Sequence, residues 1–339
     1  MTSLTVCVPV YNAAAFVEPT LAHIAAQTHR DFHVLVSVDR GDDESELLCR
    51  RFEFDRRFQV FVQPERLGWV GNVNALITRV STPLFCITPH DDLLEPRYLE
   101  AMVDVLAREP DAACVYSDIT GFGAHESVNR QQDVRGDRLH RVLDVLLNHY
   151  DGVAFRGVVR RRDTHDRPYL PVGIRHDFAA DTAWMTRLAL RGELRRVPEP
   201  LYRKWYGAAS VHAEWTRFPR PELVVLYASM VAMSTRLALE EIHDAAEREE
   251  VLTAGLLRAA GLTRGRGVGV PATDVEIATA VAHFAQATAD LGTASDPYAV
   301  IARTGIGVLR DAIAVPDPTA ARPSLHRRLA SRVRRLLNW

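Results

Sequence analysis

Lysine is nearly absent from this chain: of 41 basic residues only Lys204 is lysine and the other 40 are arginine, the bias that a GC-rich coding sequence imposes. Cysteine is scarce as well. Cys7, Cys49, Cys86 and Cys114 form no C-x-x-C pair and have no histidine at metal-ligand spacing, which argues against a zinc ribbon or a disulfide framework and for buried free thiols in a reducing compartment. A long hydrophobic run is also missing. Met1–Val17 is uncharged but broken by Pro9 and Asn12, and the apolar stretch Leu223–Thr235 falls short of the ~20 residues that cross a bilayer. No basic segment followed by an apolar one opens the chain, so no signal peptide is expected. Charge of one sign is lacking too: 41 basic against 43 acidic residues leave a net charge of −2, without the general basic footprint that nucleic acid requires. Only residues 322–339, with six Arg and no acid, are strongly basic.

What is present is ordinary for a soluble globular protein: 339 residues, 47% hydrophobic and 25% charged, enough for about two domains at roughly 150 residues each. In the first half, short β-branched runs alternate with helical stretches, the pattern of a parallel α/β sheet. Strands are expected at Leu4–Val10, Phe32–Val38, Phe58–Gln63, Leu84–Thr88 and Ala112–Ser117, and helices at Ala13–Gln27, Glu44–Phe54, Gly71–Val80 and Pro96–Arg108. From about residue 218 the strand signal gives way to amphipathic helices at Pro221–Leu239, Glu240–Ala260, Asp274–Leu291 and Asp296–Ala314. The expected domains are therefore 1–217, 218–321 and a tail helix 322–339. Gly265, Gly267 and Gly269 follow a helix, not a strand, and read as a linker instead of a phosphate loop.

Ligand sites of such sheets lie at the carboxyl ends of the strands. Asn12 follows the first strand and can cap a helix at Ala13. Asp39 ends the second and can accept from a base N–H or a ribose hydroxyl, while Asp42, Asp43 and Glu44 suit a helix start. Asp91 and Asp92, adjacent after a buried strand, repel one another unless a cation or donors offset them, which makes a divalent metal a natural partner. Asp181 is expected at the N-cap of a helix Thr182–Arg191, and Arg203 and Lys204 could stabilise a leaving diphosphate.

Taken in order, Val8-Pro9-Val10-Tyr11-Asn12, Gln27-Thr28, Val38-Asp39-Arg40-Gly41, Leu67-Gly68 with Asn74, Asp91-Asp92, Ala180-Asp181 through Gly192 and Pro198-Glu199-Pro200-Leu201-Tyr202 closely resemble a family 2 glycosyltransferase of the GT-A fold over residues 4–212. The resemblance implies a Rossmann-like mixed sheet flanked by helices, followed here by an all-helical region. It implies an inverting transferase using a nucleotide sugar, UDP-linked by family preference. Pro9, Tyr11 and Asp39 would then line the nucleotide pocket, joined at the donor by Asn12, Arg40, Asn74, His90, Asp92, Arg203 and Lys204. Asp91 would bind Mg2+ or Mn2+, with His212 as a second metal-ligand candidate, and Asp181 would be the base on the acceptor. The chain departs from the family where Pro89 replaces the first Asp of the DxD motif, His90 fills its middle, Arg40 replaces an Asp and Ala180 a Glu. The alternative is a GT-A domain that has lost catalysis and serves as a binding or scaffold protein. A nucleotidyltransferase would want a glycine- and base-rich loop after the first strand, and Tyr11–Phe16 holds no Gly, Arg or Lys.

The acceptor is open among polysaccharide, lipid, natural product and peptide, and the C-terminal helices among acceptor binding, homodimer formation and capping of the sheet. In the tail, Leu325, Leu329, Val333, Leu336 and Leu337 form one apolar stripe beside Arg327, Arg328, Arg332, Arg334 and Arg335. That pattern suits equally a helix docked on the core and one lying on an anionic membrane surface. The expected location is a bacterial cytoplasm, either free or peripheral at the inner face of the membrane.

Overall fold

The computed structural model describes residues 3–148, 152–208, 210–261, 263 and 267–291. They divide into two compact units. The first comprises residues 3–136, 152–172 and 191–213, and the second 137–148, 173–190 and the described residues from 214 on. The division near residue 213 lies close to the boundary expected near Phe218, but the second unit also takes two earlier segments, one of which carries Asp181.

The first unit is built on a nine-stranded mixed sheet in the order β3-β2-β1-β4-β8-β6-β9-β5, with β7 paired to β6. The strands are β1 (Leu4–Val10), β2 (Phe32–Val38), β3 (Phe58–Val62), β4 (Leu84–Ile87), β5 (Leu93–Leu94), β6 (Ala112–Gly123), β7 (Ser127–Asn129), β8 (Val158–Arg160) and β9 (Glu193–Tyr206). β1 to β4 are parallel, in a register that sets Val6 beside both Val34 and Cys86. β1 and β4 are apolar and buried on both faces, as crossover helices require. All four cysteines are buried free thiols, as expected. β8 enters antiparallel between β4 and β6, which makes the sheet mixed.

β9 was not legible as a strand because of Pro198 and Pro200. They fall in a gap of the β6–β9 ladder, which passes from Ser117–Val197 to Ile119–Tyr202, so neither proline removes a ladder hydrogen bond. The helices here are α1 (Val17–Ala25), α2 (Ser45–Arg50), α3 (Gly68–Arg79) and α4 (Tyr98–Arg108).

The second unit is helical, with α5 (Arg138–Leu147), most of α6 (Ala180–Arg191), α8 (Arg220–Glu241), α9 (Ala245–Ala259) and α10 (Asp274–Ala287), after the short α7 (Val211–Trp215) at the junction. Asp244 accepts from the amides of Ala246 and Glu247 and so starts α9, and Thr273 with Glu276 forms a capping box on α10. The expected Glu240–Ala260 helix is thus shorter, since Asp244 interrupts it. α8 exceeds the apolar stretch read from the sequence: an 18-residue window of its 22 residues has a mean hydropathy of 1.4, long and apolar enough to cross a membrane by length and composition, but 72% of that window is buried inside the fold, as in a core helix. The expected helix Asp296–Ala314 and the tail helix lie outside the described residues.

Candidate functional site

The carboxyl ends of β1, β2 and β4 bring three loops to one edge of the first unit. At the first, Asn12 adopts a left-handed φ of 44°. It does not cap a helix at Ala13, as expected. The amides that a cap would serve are taken by the neighbouring loop: Ala13 N–H donates to Ser45 Oγ at 2.7 Å and Ala14 N–H to Asp43 Oδ2 at 2.8 Å. The helix therefore begins only at Val17. Asn12 Nδ2 instead donates to Asp42 Oδ1 at 2.9 Å, and Asp42 N–H returns a bond to Asn12 Oδ1 at 3.2 Å. Glycine at 41 makes this possible, because a Cβ there would overlap Asn12 Oδ1. Asp43, read as a helix-start acid, joins both loops. Burial works to raise its carboxyl, but bonds from Ser45 and the Ala14 amide outweigh that and hold it below its ordinary value.

Asp39, at the end of β2, is 2% exposed. Its two oxygens accept from Leu67 N–H at 2.7 Å and Gly68 N–H at 2.9 Å, so its first task is to start α3 three residues before the expected Gly71. Each carboxylate oxygen keeps a second lone pair for a ligand donor. Beside it, the Arg66 guanidinium lies 4.2 Å from the centroid of the Tyr11 ring, a cation–π contact. Arg66 was not among the expected site residues, though it directly precedes the Leu67-Gly68 pair. Arg40 Nη1 donates to the Pro64 carbonyl at 3.0 Å and so braces the same loop. Asn74, expected at the donor, is engaged elsewhere: its amide donates to Leu170 O at 3.0 Å and accepts from Leu170 N–H at 2.8 Å. It clamps the segment around Leu170 onto α3 and is a positioning residue.

After β4 the two adjacent carboxylates part company. Asp92 is 1% exposed and fully engaged. Its Oδ2 accepts from Arg156 Nε at 2.8 Å and Tyr202 Oη at 3.0 Å, and its Oδ1 from Trp205 N–H at 2.9 Å. It ties β9 and Arg156 to the β4 loop, and is a structural residue where a donor contact was expected. Asp91 accepts no side-chain hydrogen bond among the described residues. Burial, and then the adjacent Asp92 carboxylate, push it up to about 6. His90 is held by two bonds: its Nδ1–H donates to the Pro9 carbonyl at 3.1 Å, and its own carbonyl accepts from Thr20 Oγ1 at 2.8 Å. Pro9, placed in the nucleotide pocket from the sequence, thus contributes its backbone to His90.

Arg203 and Lys204 lie on β9, half-buried, with the Arg203 guanidinium 5.0 Å from the Phe122 ring centroid and Lys204 Nζ 4.6 Å from that of Tyr206. Trp205, the next residue of β9, packs its ring against Phe16 with centroids 4.4 Å apart and planes tilted by 49°. His212 is exposed on α7, and no group of three His, Cys, Asp or Glu suited to a metal occurs among the described residues.

In the second unit, α6 starts at Ala180, so Asp181 stands inside the first turn and not at the N-cap as expected. Its Oδ1 accepts from Thr182 N–H at 2.9 Å, and Oδ2 has no hydrogen-bond partner among the described residues. The turn that delivers it is strained: His176, Asp177 and Ala179 have φ of 58°, 49° and 49°, a conformation that disfavours residues with a Cβ and that clusters at functional sites. It is pinned within its own unit by stacking of His176 on Phe218 at 4.8 Å, by Phe178 against Trp215 at 5.1 Å and by Arg175–Glu222 at 3.0 Å.

The family model "Glycosyl transferase family 2" matches residues 5–170. Among curated proteins, the chain is similar to glycosyltransferase GlyA of Streptococcus pneumoniae serotype 4, with 29% identity over 100 residues that span 29% of this chain and 14% of that one. The chain spans less than two thirds of the length of the curated relatives it matches. Among solved structures, S. aureus TarS 1–349 in complex with UDP-GlcNAc superposes with a TM-score of 0.66 at 14% identity, covering 92% of this chain and 91% of that one. The mannosyltransferase PcManGT of Pyrobaculum calidifontis, in complex with GDP-Man and Mn2+, does so with a TM-score of 0.54 at 18% identity, covering 99% and 87%. These likenesses establish the fold: a GT-A sheet with flanking helices and a helical C-terminal region.

Proposed function

Because the chain belongs to glycosyl transferase family 2 through residues 5–170, we propose that it moves a sugar from a nucleotide-sugar donor, UDP-linked, onto an acceptor hydroxyl with inversion at the anomeric carbon. The observation that carries this reading is the split between Asp91 and Asp92. One carboxylate of the pair is locked into the fold, while the other, just past a strand end, accepts no side-chain hydrogen bond among the described residues and has its charge disfavoured by burial. A site short of positive charge is matched by a cation, and one protein carboxylate suffices when substrate diphosphate oxygens and water fill the other positions. Asp91 thus fits Mg2+ or Mn2+. The bound ion would supply Lewis-acid stabilisation of the charge growing on the leaving diphosphate. The TarS complex with UDP-GlcNAc and the PcManGT complex with GDP-Man and Mn2+ support both donor and ion.

Tyr11, with Arg66 across its ring, and the spare lone pairs of Asp39 would receive the base and ribose. Asp181, through Oδ2, would take the proton of the acceptor hydroxyl as that oxygen attacks the anomeric carbon. The bond from that carbon to the diphosphate breaks, and the nucleoside diphosphate leaves with the electron pair. The strained turn before α6 supports this role, since it is backbone strain maintained by packing just where the base begins its helix.

Thermal denaturation with UDP-, GDP- and dTDP-sugars, with and without Mn2+, tests the donor, because a ligand of the native state raises the melting temperature. A rise with a UDP-sugar and Mn2+ is expected. Asp181→Asn should keep that rise while donor hydrolysis falls by about 10²–10⁴; near-normal turnover would remove Asp181 as the base. Donor binding by the wild-type chain without hydrolysis or transfer would favour a binding protein that has lost catalysis.

A further inference from the structure

We propose that His90 Nε2 is a second protein ligand of the cation held by Asp91, so that this chain offers a nitrogen–oxygen pair that takes Mn2+ in preference to Mg2+. The inference rests on the reading of Asp91 given above and goes beyond it in naming the ligand and the ion it selects.

A carbonyl oxygen only accepts, so the 3.1 Å bond from His90 Nδ1 to the Pro9 carbonyl places the ring proton on Nδ1. In the neutral ring Nε2 then carries a lone pair and no proton. No hydrogen bond among the described residues reaches Nε2. A turned-over ring would present a carbon to the Pro9 carbonyl and lose this bond, whose acceptor is fixed in a central strand of the sheet while the His90 backbone is held by Thr20 Oγ1 at 2.8 Å. This is the arrangement in which metal-binding histidines occur: one nitrogen donates to a backbone carbonyl, which fixes the tautomer and presents the other to the ion. The alternative task, a direct contact with the donor's phosphates, is poorly served. A lone pair repels phosphate oxygens unless a cation lies between them.

The preceding residue is Pro89, which has no donor atom in its side chain, and Asp92 is bound to Arg156, Tyr202 and Trp205. That leaves His90 and Asp91 as the loop's own ligands. Exchange of a carboxylate for an imidazole shifts a site away from Mg2+, which favours oxygen, and toward ions that accept nitrogen. Mn2+ accepts both.

The test is pulsed electron paramagnetic resonance on the full chain with Mn2+ and UDP, and in parallel with Mn2+ and GDP. Nitrogen modulation from a directly bound imidazole is expected together with phosphorus coupling from the diphosphate. In His90→Gln the nitrogen signal should vanish while the phosphorus coupling remains, and Mn2+ affinity should drop by about ten-fold or more with little change for Mg2+. Retention of the wild-type melting temperature checks that this variant is folded. His212→Gln, which alters an exposed histidine, should keep the nitrogen signal. Phosphorus coupling without nitrogen in the wild-type chain, or loss of nitrogen in His212→Gln, would overturn the assignment of His90 and leave the reading of Asp91 standing. Failure of the wild-type chain to bind Mn2+ with either nucleotide would overturn both.

Discussion

Asp92 and Arg156 form a buried ion pair: Arg156 Nε lies 2.8 Å from Asp92 Oδ2, with the two side chains 13% and 1% exposed. Tyr202 and the Trp205 amide complete the carboxylate's partners. Removal of one member of a buried pair leaves the other charge without compensation. Asp92→Asn should therefore lower stability by about 3–5 kcal/mol, read from urea denaturation, and should weaken nucleotide binding only through the fold. A loss under about 1 kcal/mol would mean that Asp92 is not structural.

Asp91, one residue away, should behave oppositely. Its carboxyl titrates near 6 in the fold, raised by burial and then by Asp92, against about 4 in an unfolded chain. Since the folded value lies above the unfolded one, the contribution to stability is complete below about pH 4 and is lost as pH rises through about 6. Near neutral pH and without metal, Asp91→Asn should be more stable than the wild-type chain by about 1–3 kcal/mol, and the two should converge as pH falls to about 4. Addition of Mn2+ with UDP should stabilise the wild-type chain and not the variant. A gap that widens on acidification would contradict the assigned sign.

Two adjacent aspartates after a buried strand single out this loop in the sequence, because β-branched runs ending in carboxylates are a local pattern. What each one does was not legible. The partners of Asp92 stand 64, 110 and 113 positions along the chain, and no local rule couples them. The same physics moved the start of α1. Capping preferences point to Asn12, but the amides of Ala13 and Ala14 are satisfied by residues 32 and 29 positions away. Likewise Asn74 reads as polar and near a loop, whereas its amide is closed by Leu170, 96 positions on. The five strands read from periodicity are present, as β1 to β4 and the first half of β6; the order of the sheet, its antiparallel β8 and the division of labour among the polar residues rest on long-range contacts.

The pairing of Asn12 with the β2 loop offers a separate test. A Cβ at Gly41 would overlap Asn12 Oδ1 and press on the Asn12 side chain. Overpacking of this kind costs about 1–3 kcal/mol. Gly41→Ala should lower the melting temperature accordingly and weaken UDP binding by displacing the loop beside Tyr11, whereas Gly173→Ala, where a Cβ meets nothing within 4 Å, should show only the backbone penalty of its left-handed φ, about 1 kcal/mol. Equal losses in the two variants would argue that the contact with Asn12 carries no weight.

Glu276 links α8 to α10 in the second unit, and its pH dependence should run against that of Asp91. The Arg220 guanidinium donates to both its oxygens, at 2.8 and 2.9 Å, and the amides of Ala272 and Thr273 also bond to it. These contacts, led by Arg220 and outweighing the effect of burial, depress its carboxyl to about 2. Here the folded value lies below the unfolded one, so the contribution is complete above about pH 4.5 and is lost as pH falls through about 2. Glu276 is 19% and Arg220 43% exposed, so solvent screening discounts the pair to about 1 kcal/mol. Glu276→Gln should show that deficit at neutral pH, in chemical denaturation, and the deficit should close on acidification below about pH 4. High salt should narrow it as well, since the ion pair is screened while the capping bonds to the amides remain. A deficit independent of both pH and salt would place the stabilisation in the capping geometry alone.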